Sequence, residues 1–151
     1  MNNRHILGTF KGTVLKFNSP TKNGRIYDSG IYNQIKSDPV VNEQLKNGCL
    51  FVTMDGDDIS HVAGVVTDLT YNQSQDSMEA IVDVVNTPQG RILDVLLSDN
   101  QIVSLSVCGY GVDDNRVDDK PYVITNYELE SIQAYPYQDI WNDKIKYHKK
   151  E

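Results

Sequence analysis

Thr87-Pro88-Gln89-Gly90-Arg91-Ile92-Leu93-Asp94-Val95-Leu96-Leu97-Ser98 decides the fold class of this chain, because it reads as a helix set among stretches that read as strands. Thr87 supplies a side-chain oxygen for the free N–H groups of a first turn. Pro88 suits the first helical position, where its missing N–H costs nothing. Ile92, Leu93, Leu96 and Leu97 recur at helical spacing, which predicts a stripe packed into the core rather than a binding face.

Working outward, His61–Thr70 and Glu79–Val85 flank the polar stretch Tyr71–Ser77 and read as a β-hairpin. Cys49–Met54 is a short apolar run. Ile6–Phe17 is interrupted by Gly8 and Gly12, which predicts a bent strand or a strand pair. On the other side of the helix, Ile102–Tyr110 alternates Val103, Leu105 and Val107 against Ser104 and Ser106, and Tyr122–Gln133 reads as a last strand. A second helical region covers parts of Ser29–Asn47 and breaks near Pro39. These elements predict an α+β fold, a mostly antiparallel sheet or small barrel with a few packed helices. The expectation is one domain over residues 1–151, with a short basic extension from about 139 whose run Lys144 to Lys150 is a solvated end.

Composition narrows the function. A net charge of −7 argues against a nucleic-acid surface, which needs clustered Lys and Arg. No apolar stretch approaches membrane-spanning length, and Met1–Phe10 has no apolar core with a cleavage site, so neither a membrane anchor nor a signal peptide is expected. The two cysteines, Cys49 and Cys108, lack metal-ligand spacing and are expected as reduced, partly buried thiols. Asp55-Gly56-Asp57-Asp58 lacks the ligand periodicity of a calcium loop and reads as a solvated acidic turn, so no metal is expected. Asp113, Asp114, Asp118 and Asp119 read as a loop between strands. Gly109-Tyr110-Gly111 lacks the third glycine and following helix of a dinucleotide site, so no cofactor is expected either. Ser106, followed by small residues, has the setting of an exposed nucleophile with a backbone oxyanion site, although the residues alone favour a strand serine before a glycine-rich turn, serine being common.

Five segments, in order, resemble the prohead (capsid maturation) serine proteases of tailed bacteriophages, T4 type, distantly related to the herpesvirus assemblins. Thr21-Lys22-Asn23-Gly24-Arg25-Ile26-Tyr27 is similar to that family's N-x-N-G-R-x-Y signature. Ile59-Ser60-His61-Val62 resembles its V-S-H-I/V strand start, and Asn86-Thr87-Pro88-Gln89-Gly90-Arg91 its D-T-P-x-G-K/R helix start. Leu105-Ser106-Val107-Cys108-Gly109-Tyr110-Gly111 stands where the family has S-S-R-G-x-G, and Asn126-Tyr127-Glu128-Leu129 is similar to its D-F-E-L strand. Together they span roughly residues 6 to 135.

The resemblance implies a serine nucleophile with a histidine base, and here the pattern breaks. A serine hydroxyl is a poor nucleophile without a base in hydrogen-bond reach. The family's histidine lies in a G-E-L-x-H-P motif; the matching stretch is Gly48-Cys49-Leu50-Phe51-Val52-Thr53, which puts Val52 in the histidine's place. Val107 and Cys108 likewise replace the second serine and the arginine. The resemblance therefore implies a capsid protein of a tailed phage on a degenerate protease fold, made in the host cytoplasm and carried in the virion. Its partners would be the major capsid protein or other capsid and scaffold chains. The competing expectation is an active maturation protease with Ser106 as nucleophile, His61 as base oriented by Asp55, Asp57 or Asp58, and an oxyanion site on the backbone from Val107 to Gly109. A third is a pseudoenzyme that occupies substrate segments without cutting them. Cys108 has no histidine placed to activate it.

Overall fold

A computed structural model describes residues 5–21, 24–99, 103–112, 122–135 and 145–150. Strand β1 is Ile6–Lys16, one continuous strand with register shifts after Ile6 and after Thr13. Its glycines make room rather than bends. A Cβ at Gly8 would lie 2.3 Å from the Tyr147 hydroxyl, and one at Gly12 2.6 Å from Leu105. The short strand β2 is Arg25–Tyr27.

Helices α1, Gly30–Ser37, and α2, Pro39–Asn47, divide at Asp38. Asp38 is extended, its carboxylate accepts from the Val40 N–H at 2.9 Å, and Pro39 occupies the first turn of α2. The left-handed Gly48, φ +67°, ends that helix. Then come β3, Phe51–Met54; a single 3-10 turn, Ile59–His61; β4, Val62–Asn72; and β5, Ser77–Val85.

Helix α3, Pro88–Ser98, begins as its sequence directs, with the Thr87 hydroxyl accepting from the Gly90 N–H at 3.0 Å. Its apolar stripe is only half inside, however. Leu93 and Leu97 are buried, while Ile92 is 53% exposed. The remaining strands are β6, Ser104–Val112; β7, Tyr122–Ile124; β8, Asn126–Tyr135; and β9, Tyr147–Lys149. Ile102 and the aspartates of 113–119 lie outside the described residues.

Among the described residues, seven strands form one sheet in the order β6-β8-β3-β4-β5-β1-β9, antiparallel except for β3 against β8. This is the α+β fold expected, with a parallel pair that the sequence reading did not contain. The sheet curls until Leu105 of β6 rests against Gly12 of β1. Phe10, Val14, Val66, Met78, Val82 and Ile132 fill the interior.

Two further differences arise from contacts between residues distant in the chain. The stretch Tyr122–Gln133 divides between β7, which pairs with β2 in parallel, and β8 in the main sheet. The Gln34 side chain of α1 holds the break, donating to the Thr125 carbonyl at 2.6 Å and accepting from the Tyr127 N–H at 3.1 Å. The basic end is also more than a solvated tail. Tyr147–Lys149 pairs with Gly8–Phe10, and the Tyr147 hydroxyl donates to the buried Asp94 of α3 at 2.6 Å.

Candidate functional site

Ser106 sits half-buried on β6 opposite Gln133 of β8, which in turn stands opposite Thr53 of β3. The next row is Val107, Ile132 and Val52. Side chains alternate faces along a strand, so Ser106, Gln133 and Thr53 share one face, and Val107, Ile132 and Val52 the other. Val52 is fully buried, on the face that holds the core residue Ile132. The β3 position facing the same way as Ser106 is thus Thr53, two strands away and about 10 Å between Cα atoms at ordinary strand spacing. Neither residue can accept a proton from a serine. The Ser106 hydroxyl donates to the carbonyl of Val107 at 3.3 Å.

His61 closes the 3-10 turn before β4, with its ring against Gly56, where a Cβ would come within 2.7 Å of the imidazole. Its Nδ1 lies 2.7 Å from Asp58 Oδ1 and 3.2 Å from the Ser60 hydroxyl. Asp58 is thus the aspartate that orients this histidine. It also caps the turn, accepting from the Ser60 N–H at 3.0 Å and from the Ser60 hydroxyl. These bonds, Ser60 first and His61 second, hold its carboxyl below the ordinary range. Ser60, His61 and Asp58 are not a relay, because serine and aspartate meet the same ring nitrogen; a triad needs them on opposite nitrogens. Among the described residues, the hydrogen-bond partners of His61 are Asp58 and Ser60, and Ser106 is not one of them.

The glycines after Ser106 serve the chain's own sheet. A Cβ at Gly109 would lie 1.9 Å from the Glu128 carbonyl, at the bulge between β6 and β8, and one at Gly111 2.9 Å from Ile124. β8 and β7 therefore occupy the space that these glycines leave open. Cys108, half-buried, has its Sγ 3.6 Å from Gln133 Oε1, and burial pushes its thiol up, only partly offset by a hydrogen bond with Ser131. It is therefore held as the unreactive thiol. Cys49 is free and exposed, against the expectation of partial burial.

The remaining motif residues have structural work. Gly24, φ +76°, turns the chain into β2 at Arg25, whose N–H donates to the Thr21 hydroxyl at 3.2 Å; Asn23 lies outside the described residues. Gly90 brings α3 so close to the sheet that a Cβ would sit 1.7 Å from the Val85 carbonyl. The Thr87 hydroxyl also donates to the Val62 carbonyl. Thr87 and Gly90 thus dock α3 on β4 and β5, with Pro88 in the helix's first turn. Among the described residues, no group of His, Cys, Asp or Glu could hold a metal, and no helix is long and apolar enough to cross a membrane.

Sequence reasoning missed a groove between α3 and the ends of β3 and β8, lined by Met54, Asp55, Gln89, Ile92, Leu96 and Ala134. The only sequence signal was an apolar stripe on α3 wide enough to exceed what the sheet covers.

No family model matches the chain, and no curated protein does. Among solved structures it is similar to the capsid assembly protease of bacteriophage T4, with a TM-score of 0.70 and 15% sequence identity. The likeness covers 83% of this chain and 79% of that one. At that identity the shared property is the fold: this chain has a prohead-protease-like fold.

Proposed function

We propose that this chain is a capsid-associated protein of a tailed bacteriophage, in which a prohead-protease fold serves as a non-cleaving scaffold that binds and stabilises the shell. One observation carries the reading: the Ser106 hydroxyl is bonded to its neighbour's carbonyl, and the β3 positions in and beside its row are Thr53 and Val52. A fold does not fix a function, and a site can decay while the surfaces that met capsid chains persist. The partners on this reading are the major capsid protein or other capsid and scaffold chains, and the place of action is the virion. Mass spectrometry of purified mature particles tests it. Intact chain in many copies is the expected result, and Ser106→Ala leaves that number unchanged. Absence of the chain, or its recovery only as trimmed fragments, would refute it.

The second reading is an active maturation protease with Ser106 and His61. The His61–Asp58 pair favours it, since a carboxylate 2.7 Å from Nδ1 directs Nε2 outward as a base. A fluorophosphonate probe separates the two. Labelling at Ser106 that Ser106→Ala and His61→Ala both abolish supports the protease, and an unlabelled chain supports the scaffold.

A further inference from the structure

An asparagine or aspartate followed by glycine is a reactive point in a polypeptide. The glycine nitrogen, with no side chain beside it, can reach and attack the preceding side-chain carbonyl. The chain has three such pairs: Asn23-Gly24, Asn47-Gly48 and Asp55-Gly56.

The fold treats the three attacking nitrogens differently. The Gly24 N–H donates to the Thr21 carbonyl at 3.0 Å, and the Gly48 N–H to the Leu45 carbonyl at 3.3 Å. Asn47 is also held at the end of α2, its side-chain amide donating to Glu43 Oε1 at 3.1 Å. Among the described residues, by contrast, neither the Gly56 N–H nor the Asp55 carboxylate has a hydrogen-bond or ion-pair partner. Asp55 is exposed, and its backbone is left-handed, φ +68°, a conformation that costs a non-glycine residue energy.

We infer that Asp55-Gly56 is a site of self-modification, where the native chain converts aspartate to isoaspartate and thereby unseats His61. The Gly56 nitrogen bonds to Asp55 Cγ, its proton passes to solvent, and the carboxyl's hydroxyl leaves as water, closing a succinimide ring. Water then adds to either ring carbonyl. Opening at the main-chain carbonyl of Asp55 routes the backbone through the side-chain methylene and leaves the α-carboxylate as a branch.

The added methylene falls where His61 is seated. The imidazole packs on Gly56 so closely that a Cβ there would come within 2.7 Å, and its Nδ1 lies 2.7 Å from Asp58 Oδ1. Lengthening the turn by one atom displaces Gly56 from the ring and weakens the bond between His61 and Asp58. In a virion the chain is not replaced, so the conversion accumulates; that consequence rests on the function proposed above, and the chemistry of the turn does not.

The test ages the purified full chain at neutral pH, native and in urea. An endoprotease that cuts before aspartate but not before isoaspartate then digests it. Peptide mass spectrometry reads the loss of cleavage before Asp55 and the mass gain of deamidation at Asn23 and Asn47. In the native chain the loss before Asp55 comes first. In urea all three glycine N–H groups are free, and the asparagines overtake it, because a side-chain amide closes the ring faster than an ionised carboxylate. Asp55→Glu, which would need a larger ring, abolishes conversion at this position. In the converted chain the His61 ring resonances move toward their unfolded positions while those of His5 stay. Native conversion led by either asparagine, undiminished cleavage before Asp55, or the same order in urea each overturns the site. Conversion that leaves the His61 resonances in place overturns the coupling. None of these outcomes bears on whether the chain is found in virions, so the two proposals fail separately.

Discussion

Tyr147→Phe deletes one hydroxyl and with it the bond that ties β9 to α3. In the folded chain that hydroxyl donates to Asp94 Oδ1 at 2.6 Å, and the Lys149 ammonium sits 3.3 Å from the other carboxylate oxygen. Asp94 is only 9% exposed, so its charge depends on these partners in place of water. A hydrogen bond to a charged acceptor contributes about 1.5–3 kcal/mol. The Lys149 side chain is 59% exposed, which makes the ion pair a minor contributor. The expected loss is therefore about 2 kcal/mol, or roughly 4–8 °C in Tm for a domain of this size. Urea denaturation followed by circular dichroism measures the loss, and hydrogen exchange over 145–150 reports whether β9 has loosened.

The pH dependence gives a second handle on the same bond. Burial first, and then Asp94, push the Tyr147 phenol well above its ordinary value. A group whose folded pKa is raised contributes stability that is complete below the unfolded pKa, about 10 for tyrosine, and lost as pH rises toward the folded value. The wild-type chain should therefore lose stability above about pH 10 more steeply than Tyr147→Phe. Tyr127, raised chiefly by burial, is present in both proteins and cancels in the comparison. A change below about 0.5 kcal/mol, with β9 amides still protected and the two alkaline slopes equal, would refute the clamp.

Gly90→Ala should be among the most damaging small changes, because the new Cβ would lie 1.7 Å from the Val85 carbonyl and 2.9 Å from that of Ala63. A loss above about 4 kcal/mol is expected, read as a collapse of the soluble fraction or of the urea midpoint. Thr53→Val replaces a buried hydroxyl that has no partner among the described residues and should be neutral, or stabilising by up to about 1 kcal/mol. Val52→His, which introduces the histidine of the motif that Gly48–Thr53 resembles, instead places an ionisable ring at a fully buried site. It should cost at least about 2 kcal/mol. Equal urea midpoints for these two variants would show the assignment of faces on β3 to be wrong. A thiol reagent should modify exposed Cys49 at once and half-buried Cys108 roughly 100-fold more slowly, the gap closing on unfolding; equal rates in the native chain would contradict the burial of Cys108.

The local elements were legible because their determinants are local. Thr87 and Pro88 start α3, Asp38 and Pro39 separate α1 from α2, and alternation around Tyr71–Ser77 marks the β4–β5 hairpin. The strand that carries Ser106 was legible too, whereas His61, read as the first residue of a strand, closes the 3-10 turn before it, and the sequence left open which of three aspartates it meets. Periodicity could not reveal that β3 lies parallel to β8, that Gln34 breaks the strand at Thr125, or that the basic end is a strand clamped by Asp94. Each of those depends on a partner far away in the chain.

The site shows the division most sharply. By itself the sequence determined the residue types available: one serine before small residues, a histidine beside three aspartates, and no histidine in the stretch Gly48–Thr53. Only the tertiary structure decided which of them face one another. Strand side chains alternate with a period of two, so a slip of one residue in pairing exchanges the two faces of a sheet. The register of β3 on β8 and of β8 on β6 puts Thr53 in the row of Ser106 and sends Val52 to the face of the core, and that register is set by packing between strands distant in sequence.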